Sequence, residues 1–349
     1  MTTEISINGR LIGIDHPPYI IAELSANHNG DITRALRIIE EAKKAGADAV
    51  KLQTYTPDTI TLDSNADEFQ IHGGLWDGRS LYELYREAHM PWEWHKPLFD
   101  RAKELGITIF SSPFDFSAVD LLESLDVPAY KIASFELVDL PLIKRVAKTG
   151  KPMIMSTGMA NEEEIEQAIA TARDNGCEAL VILHCVSGYP APAGEYNLRT
   201  IADISQRFSV LSGLSDHTID NATAVASVAL GACVIEKHVT LDRRGGGADD
   251  SFSIEPAELA QLCKDTKTAW SALGQVNYQR TEAEKDNVKF RRSLYAVKDI
   301  AMGESLTPDN VKSIRPGFGL APKHYEEILG CKAKCAIPSG TALALTLLE

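Results

Sequence analysis

SVLSGLSDHTIDNATAVASVALGACVIEKHVTLD (209–242) carries the alternation on which the fold turns. SVLSGLSDH is a short apolar run ending in polar residues, IDNATAVASVALGA is a small-residue helix, and CVIEKHVTLD is a second apolar run with a polar exit. His217 and His238 hold equivalent places, each just after the apolar core of its strand. If the strands are parallel neighbours, both imidazoles reach one rim at metal-sharing distance. A lone histidine near a strand end is ordinarily a hydrogen-bonded surface residue, so the pair gains weight only from what other strands bring beside it.

Outward from this stretch the rhythm recurs. YIIAEL (19–24), DAVKLQ (48–53), ITIFSS (107–112), AYKIAS (129–134), PMIMST (152–157) and ALVILHC (179–185) are short apolar strands, each followed by a helical pattern. PAELAQLCKDTKTAWSAL (256–273) is the closing helix. Eight such units over roughly 260 residues predict an α/β fold, a closed (β/α)8 TIM barrel. An open doubly wound sheet is the alternative, but no strand leads into a glycine-rich dinucleotide fingerprint. Residues 3–14 alternate around Asn8-Gly9 and predict a β-hairpin ahead of the barrel. Residues 54–92 read as a long irregular insertion, at the end of which Pro91 opens the next helix.

Past Gly274 the chain turns polar, as in a linker, and then gives short strands and turns. IAMGESL (300–306) and IPSGTAL (337–343) echo each other. The repeat predicts a pseudo-symmetric β-rich module of about 60 residues. The expected division is 1–280 for the hairpin and barrel and 281–349 for the linker and terminal module.

Composition narrows the function. A net charge of −14 argues against nucleic acid or an anionic membrane as partner, though a local lysine cluster still suits an anionic substrate. No apolar run approaches the ~20 residues of a membrane span, and MTTEISINGR is not a signal peptide. The six cysteines lack paired zinc-ligand spacing, as expected of buried thiols in a cytoplasmic protein.

In a barrel the C-terminal strand ends face one pocket. Those positions hold Glu23, Lys51 with Gln53, Ser112, Lys131 with Ser134 and Glu136, Ser156 with Thr157, His184, Ser215 with His217, and Lys237 with His238. Lysines and hydroxyls converging from several strands suit a small oxyanion, a phosphate ester or carboxylate. The two histidines suit a divalent metal, and Glu23 suits proton transfer or stabilisation of a cation. His184, inside ILHC, reads as a packing residue, and each serine singly could cap the helix that follows.

AELSANHNG, AVKLQTY, YKIASFE, MSTGMA, SDHT and EKHVT resemble the sialic acid synthases, which condense phosphoenolpyruvate with an amino sugar. RRSLYAVKDIAMGESLTPDNV and RPGFG resemble their antifreeze-like (SAF) domain. LYELYREAHMPWEWH, CVSGYPAP and GGGADDSFSIEP look closest to the pseudaminic acid synthase branch, whose sugar is 2,4-diacetamido-2,4,6-trideoxy-L-altrose. The resemblance covers nearly the whole chain. It implies that His217 and His238 hold a divalent ion (Mn2+, or Mg2+ or Co2+), and that Lys51, Lys131, Ser112, Ser134, Ser156 and Ser215 grip phosphoenolpyruvate. It further implies that Glu23 acts beside the reacting carbons, and that Glu136, Tyr189 and Asp249 reach the sugar. Arg315 is implied to enter the partner's pocket in a domain-swapped homodimer. Where neuraminate synthases carry an asparagine, this chain has Ser187, which speaks for a sugar other than N-acetylmannosamine. The competing expectations are an N-acetylneuraminate or legionaminate synthase, another phosphoenolpyruvate-using barrel or metal aldolase, and a non-catalytic carbohydrate-binding barrel.

Overall fold

The structure, a computed structural model, describes residues 4–349. Two compact units divide at Gly274 and Gln275, where the long helix Pro256–Leu273 ends on a positive-φ glycine. The division falls slightly ahead of the expected 280/281, and the polar run after Gly274 goes with the terminal unit.

In the first unit, Glu4–Ile7 (β1) and Arg10–Gly13 (β2) form an antiparallel hairpin. Asn8 and Gly9 both take positive φ, as a two-residue turn requires. The next eight strands are Tyr19–Glu23 (β3), Ala49–Thr54 (β4), Thr108–Pro113 (β5), Tyr130–Ile132 (β6), Met153–Ser156 (β7), Leu180–Cys185 (β8), Leu211–Asp216 (β9) and Val234–His238 (β10). They close into a parallel barrel in which β10 pairs with β3, as the eight-fold rhythm predicts.

Side chains alternate between two environments along each strand. Tyr19, Ile21, Ala49, Phe110, Ala129, Ile154, Val181, Leu183, Leu211 and Val234 form one apolar cluster inside the barrel, with Ile5, Ile7 and Ile12 of the hairpin packed onto it. The intervening residues, such as Ile20, Val50, Leu214 and Ile235, or Ile132, Met155 and Ile182, pack outward against the helices. Carrying the inward file to the C-terminal strand ends selects Glu23, Lys51, Gln53, Ser112, Lys131, Ser156, Cys185, Ser215, Glu236 and His238. The hairpin closes one end of the lumen, and polar groups fill the other.

Two expectations are refined. The insertion is less irregular than it reads, because Ser80 and Glu83 form a reciprocal capping box that starts the helix Leu81–Ala88. The strand at AYKIAS is shorter, and Ser134–Val138 winds into a 3-10 segment.

In the terminal unit, Ser293–Ala296 (β11) pairs with Val311–Ile314 (β12). The repeat is visible in its hydrogen bonds. Ile300 and Ile337 exchange both backbone bonds, Gly303 N–H donates to Ala333 O while Gly340 N–H donates to Ala296 O, and Leu306 N–H donates to Cys331 O while Leu343 N–H donates to Leu294 O. Each bond has its counterpart in the other copy, as in a pseudo-twofold module. Among the described residues, no helix is long and apolar enough to cross a membrane.

Candidate active site

The polar end of the lumen centres on buried charges. Lys51 Nζ lies 2.7 Å from Glu236 Oε1 and 3.3 Å from Glu23 Oε2, and Lys131 Nζ lies 3.6 Å from Glu236 Oε1. All four side chains are buried. Charges removed from water are tolerated only when paired, and here two ammoniums share two carboxylates. Burial lifts the Glu23 carboxyl to about 7, with the Lys51 ammonium opposing the rise and Glu236 adding to it. Burial also acts against the Glu236 charge, but Lys131 and Lys51 outweigh it and hold that carboxyl below its usual range. Burial lowers Lys131 to about 8. Glu236 is therefore the fixed anion of the cluster and Glu23 the group that exchanges a proton near neutrality. Gln53 Nε2 donates to Glu23 Oε1 at 2.9 Å and orients it.

Around this cluster several buried polar atoms have no protein partner: Ser112 Oγ, Ser156 Oγ, Glu136 Oε2, Glu236 Oε2 and His238 Nδ1. Such atoms are rare in native proteins and ask for an explanation. Their concentration at one strand end marks where a polar ligand would complete the hydrogen bonding. Glu136, on the segment after β6, is pushed up to about 7 by burial. Ser134 Oγ lies 2.9 Å from Ser187 Oγ, so the residue standing where neuraminate synthases have asparagine touches an expected anion contact. Ser215 is buried on the inward file opposite Cys185.

The two histidines lie side by side, with ring centroids 5.4 Å apart. His217 Nδ1 is 2.8 Å from Val186 O, and a carbonyl only accepts, so Nε2 carries the lone pair of the neutral ring. Burial opposes a charge on His217, yet the Cys185 side chain beside it draws the ring toward its charged form. Burial, and then the neighbouring charge of His217, hold His238 well below its ordinary range. Asp249 Oδ2 lies 4.0 Å from the unpartnered His238 Nδ1 and accepts from Ser25 Oγ and from Ala26 N–H at 3.3 Å. A divalent cation fits this donor set. That set is the pair of imidazoles alone: among the described residues no group of three or more His, Cys, Asp or Glu could hold such an ion.

An aromatic wall adjoins the histidines. The Tyr189 ring is 4.4 Å from His217, and Phe252 is 5.2 Å from both His238 and Tyr189.

Most expected site residues thus meet at one rim: Glu23, Lys51, Ser112, Lys131, Ser134, Glu136, Ser156, Tyr189, Ser215, His217, His238 and Asp249. Lys237 does not. It follows the outward file, and its Nζ lies 2.7 Å from Asp216 Oδ2 and 2.9 Å from Asp220 O, tying down the loop that carries His217. A period of two sends neighbours to opposite faces, so Lys237 and His238 cannot both enter the lumen. The same rule brings in Glu236, which the rim inventory missed. His184 also faces out, bonded to Tyr196 O, in keeping with its packing role. Arg315 belongs to the terminal unit.

A closed parallel barrel with buried lysines, a proton-exchanging carboxyl and paired imidazoles at one mouth is the architecture of an enzyme acting on a small polyanion. The chain belongs to the NeuB family, whose model matches residues 38–278, and a SAF domain model matches residues 291–349. It is 47% identical over 329 residues to a pseudaminic acid synthase of Campylobacter jejuni, covering 94% of this chain and 96% of the relative. A pseudaminic acid synthase of Helicobacter pylori is 44% identical over 337 residues, covering 95% and 98%. Among solved structures, the N-acetylneuraminic acid synthetase of Leptospira borgpetersenii, crystallised with citrate, superposes with a TM-score of 0.73 at 32% identity, covering 82% of this chain and 95% of that one.

Proposed function

We infer that this chain condenses phosphoenolpyruvate with 2,4-diacetamido-2,4,6-trideoxy-L-altrose and water, giving pseudaminic acid and phosphate. The observation that carries the reading is the Lys51–Glu236–Lys131 cluster with Glu23 beside it, in a chain 47% identical to a pseudaminic acid synthase. Lys51 and Lys131 supply charge to a phosphate and a carboxylate, and Ser112, Ser134, Ser156 and Ser215 supply hydroxyls at the same strand ends. A divalent cation held by His217 and His238, manganese or a substitute, would polarise the aldehyde carbonyl of the open-chain sugar. Tyr189, Glu136 and Asp249 orient that sugar.

The methylene carbon of phosphoenolpyruvate bonds to the aldehyde carbon as the carbonyl π bond breaks, and the aldehyde oxygen takes a proton from solvent, to which Glu23 later returns the one it accepts. Positive charge is left on the phosphate-bearing carbon, where ionised Glu23 stabilises it. Water adds to that carbon and passes a proton to Glu23, which its position near neutrality allows. The hydroxyl of that adduct becomes the keto carbonyl as the carbon–oxygen bond to phosphate breaks, and its proton leaves with the phosphate. Holding both reactants in line accounts for ~7–11 kcal/mol of such a barrier.

The test is phosphate release from phosphoenolpyruvate across a panel of amino sugars, before and after treatment with a chelator. The trideoxy-altrose should react faster than N-acetylmannosamine, and manganese should restore activity lost to the chelator. Faster turnover of N-acetylmannosamine would sink the substrate assignment, and binding of sugar without phosphate release would favour a non-catalytic barrel. Arg315 joins the same reading. In a dimer exchanging terminal units its guanidinium would serve the partner's sugar, and a monomeric mass in sedimentation would remove it.

A further inference from the structure

We propose that Trp76 contacts the sugar and selects an amino sugar with an apolar, deoxygenated far end. The inference rests on the substrate reading above and names the residue that enforces part of it. Trp76 lies in the insertion after β4, far in sequence from the strand ends that hold the site. Its ring centroid is nevertheless 6.1 Å from Tyr189, tilted by 50°. The rings form a sequence leading away from the reacting end: the two histidines, then Tyr189 against His217, then Trp76 against Tyr189. A sugar whose aldehyde carbon sits at the histidines extends its chain along this wall, so the carbons farthest from the aldehyde reach the indole.

The indole is fixed and its polar atom is already used. Trp76 Nε1 donates to Ala248 O at 3.2 Å, so the ring offers a ligand its apolar face and edge. Ala248 is held in turn by the glycine-rich loop. A Cβ on Gly247 would stand 1.8 Å from Asn29 Oδ1, so a larger residue there would push the Asn29 side chain aside. Asp250 accepts from Gly247 N–H and Asn29 Nδ2, each at 2.8 Å, and closes the loop. The run GGGADD thus places Asp249 beside His238 and the Ala248 carbonyl under Trp76. A wall of this kind gains from a methyl group and offers nothing to a hydroxyl it strips of water.

The test compares kcat/KM for 2,4-diacetamido-2,4,6-trideoxy-L-altrose with that for its 6-hydroxy counterpart, in the wild type, Trp76→Ala and Trp76→Phe. The wild type should prefer the 6-deoxy sugar. Trp76→Ala should lower that preference by roughly tenfold or more, the scale at which an apolar contact discriminates, and Trp76→Phe should keep most of it. An equal loss on both sugars, no loss on either, or a wild type without preference overturns the inference while leaving the synthase reading intact. A wild type that turns over neither sugar overturns the substrate reading, and this inference with it.

Discussion

The two ends of the barrel are built from the same eight strands and are opposite in character. At the N-terminal end, Tyr19, Phe110, Val181 and Val234 pack with Ile5, Ile7 and Ile12 of the hairpin. A few residues further along the same inward files stand Glu23, Lys51, Lys131 and Glu236, with several polar atoms lacking protein partners. Close packing at the first end contributes stability through burial. The second end is costly in the same terms, since every charge there has left water. One strand can do both because its alternation holds the inward file while its length separates the environments.

The largest effect isolates the polar end. Glu23→Gln keeps shape and removes the group that accepts a proton, so phosphate release should fall by about 10^2–10^4-fold. Phosphoenolpyruvate binding, followed by calorimetry, should stay measurable because the lysines remain. Near-normal turnover would refute the role of Glu23.

A second pair of variants separates the ends by kind of effect. Phe110→Ala opens a cavity among fully buried side chains and should cost about 3–5 kcal/mol in urea unfolding. The folded fraction should keep its kcat, since no reacting atom moves. Lys51→Met removes the cation facing both Glu23 and Glu236, and an uncompensated buried charge costs about 3–5 kcal/mol. A carboxyl can shed that cost by taking a proton, so its unfolding penalty should be smaller than that of Phe110→Ala. The KM for phosphoenolpyruvate should rise by roughly tenfold or more, the worth of one charge-assisted contact. If Phe110→Ala raised KM more than Lys51→Met, the division of labour between the ends would be wrong.

The closed end was more legible than the open one, for a physical reason. Apolar runs and helix periodicity are local signals, so eight units and the hairpin at Asn8-Gly9 could be read directly. The rim required a second rule as well as position. Strand-end placement found Lys51, Lys131 and both histidines, whereas only the period of two separates Glu236 from Lys237 within VIEKH. The helix Leu81–Ala88 had a signal in Ser80 and Glu83, obscured by the polar residues before it. Trp76 had none, because its contact with Tyr189 arises between loops distant in sequence.

The smallest effect concerns protons and sharpens the same contrast. Burial raises the Glu136 carboxyl to about 7, so the folded chain holds a proton that the unfolded chain gives up at lower pH. Stability then depends on pH with a negative slope, because the native state binds the extra proton. The contribution is full below the usual glutamate range and is lost as pH rises through about 7. Glu23 is displaced in the same direction, whereas burial holds His28, His95 and His238 below their ordinary range and makes them pull the other way. The Glu136 contribution is therefore read from the difference in urea midpoint between variant and wild type at each pH. Glu136→Gln fixes the neutral form and removes its share of the pH dependence, leaving the variant more stable than wild type at pH 8 and similar to it at pH 5. Phe110→Ala, in the apolar cluster, should lower the midpoint by the same amount at both pH values. Parallel curves for Glu136→Gln and wild type would show that Glu136 is not held neutral by burial, and would confine the proton-linked cost of the open end to Glu23.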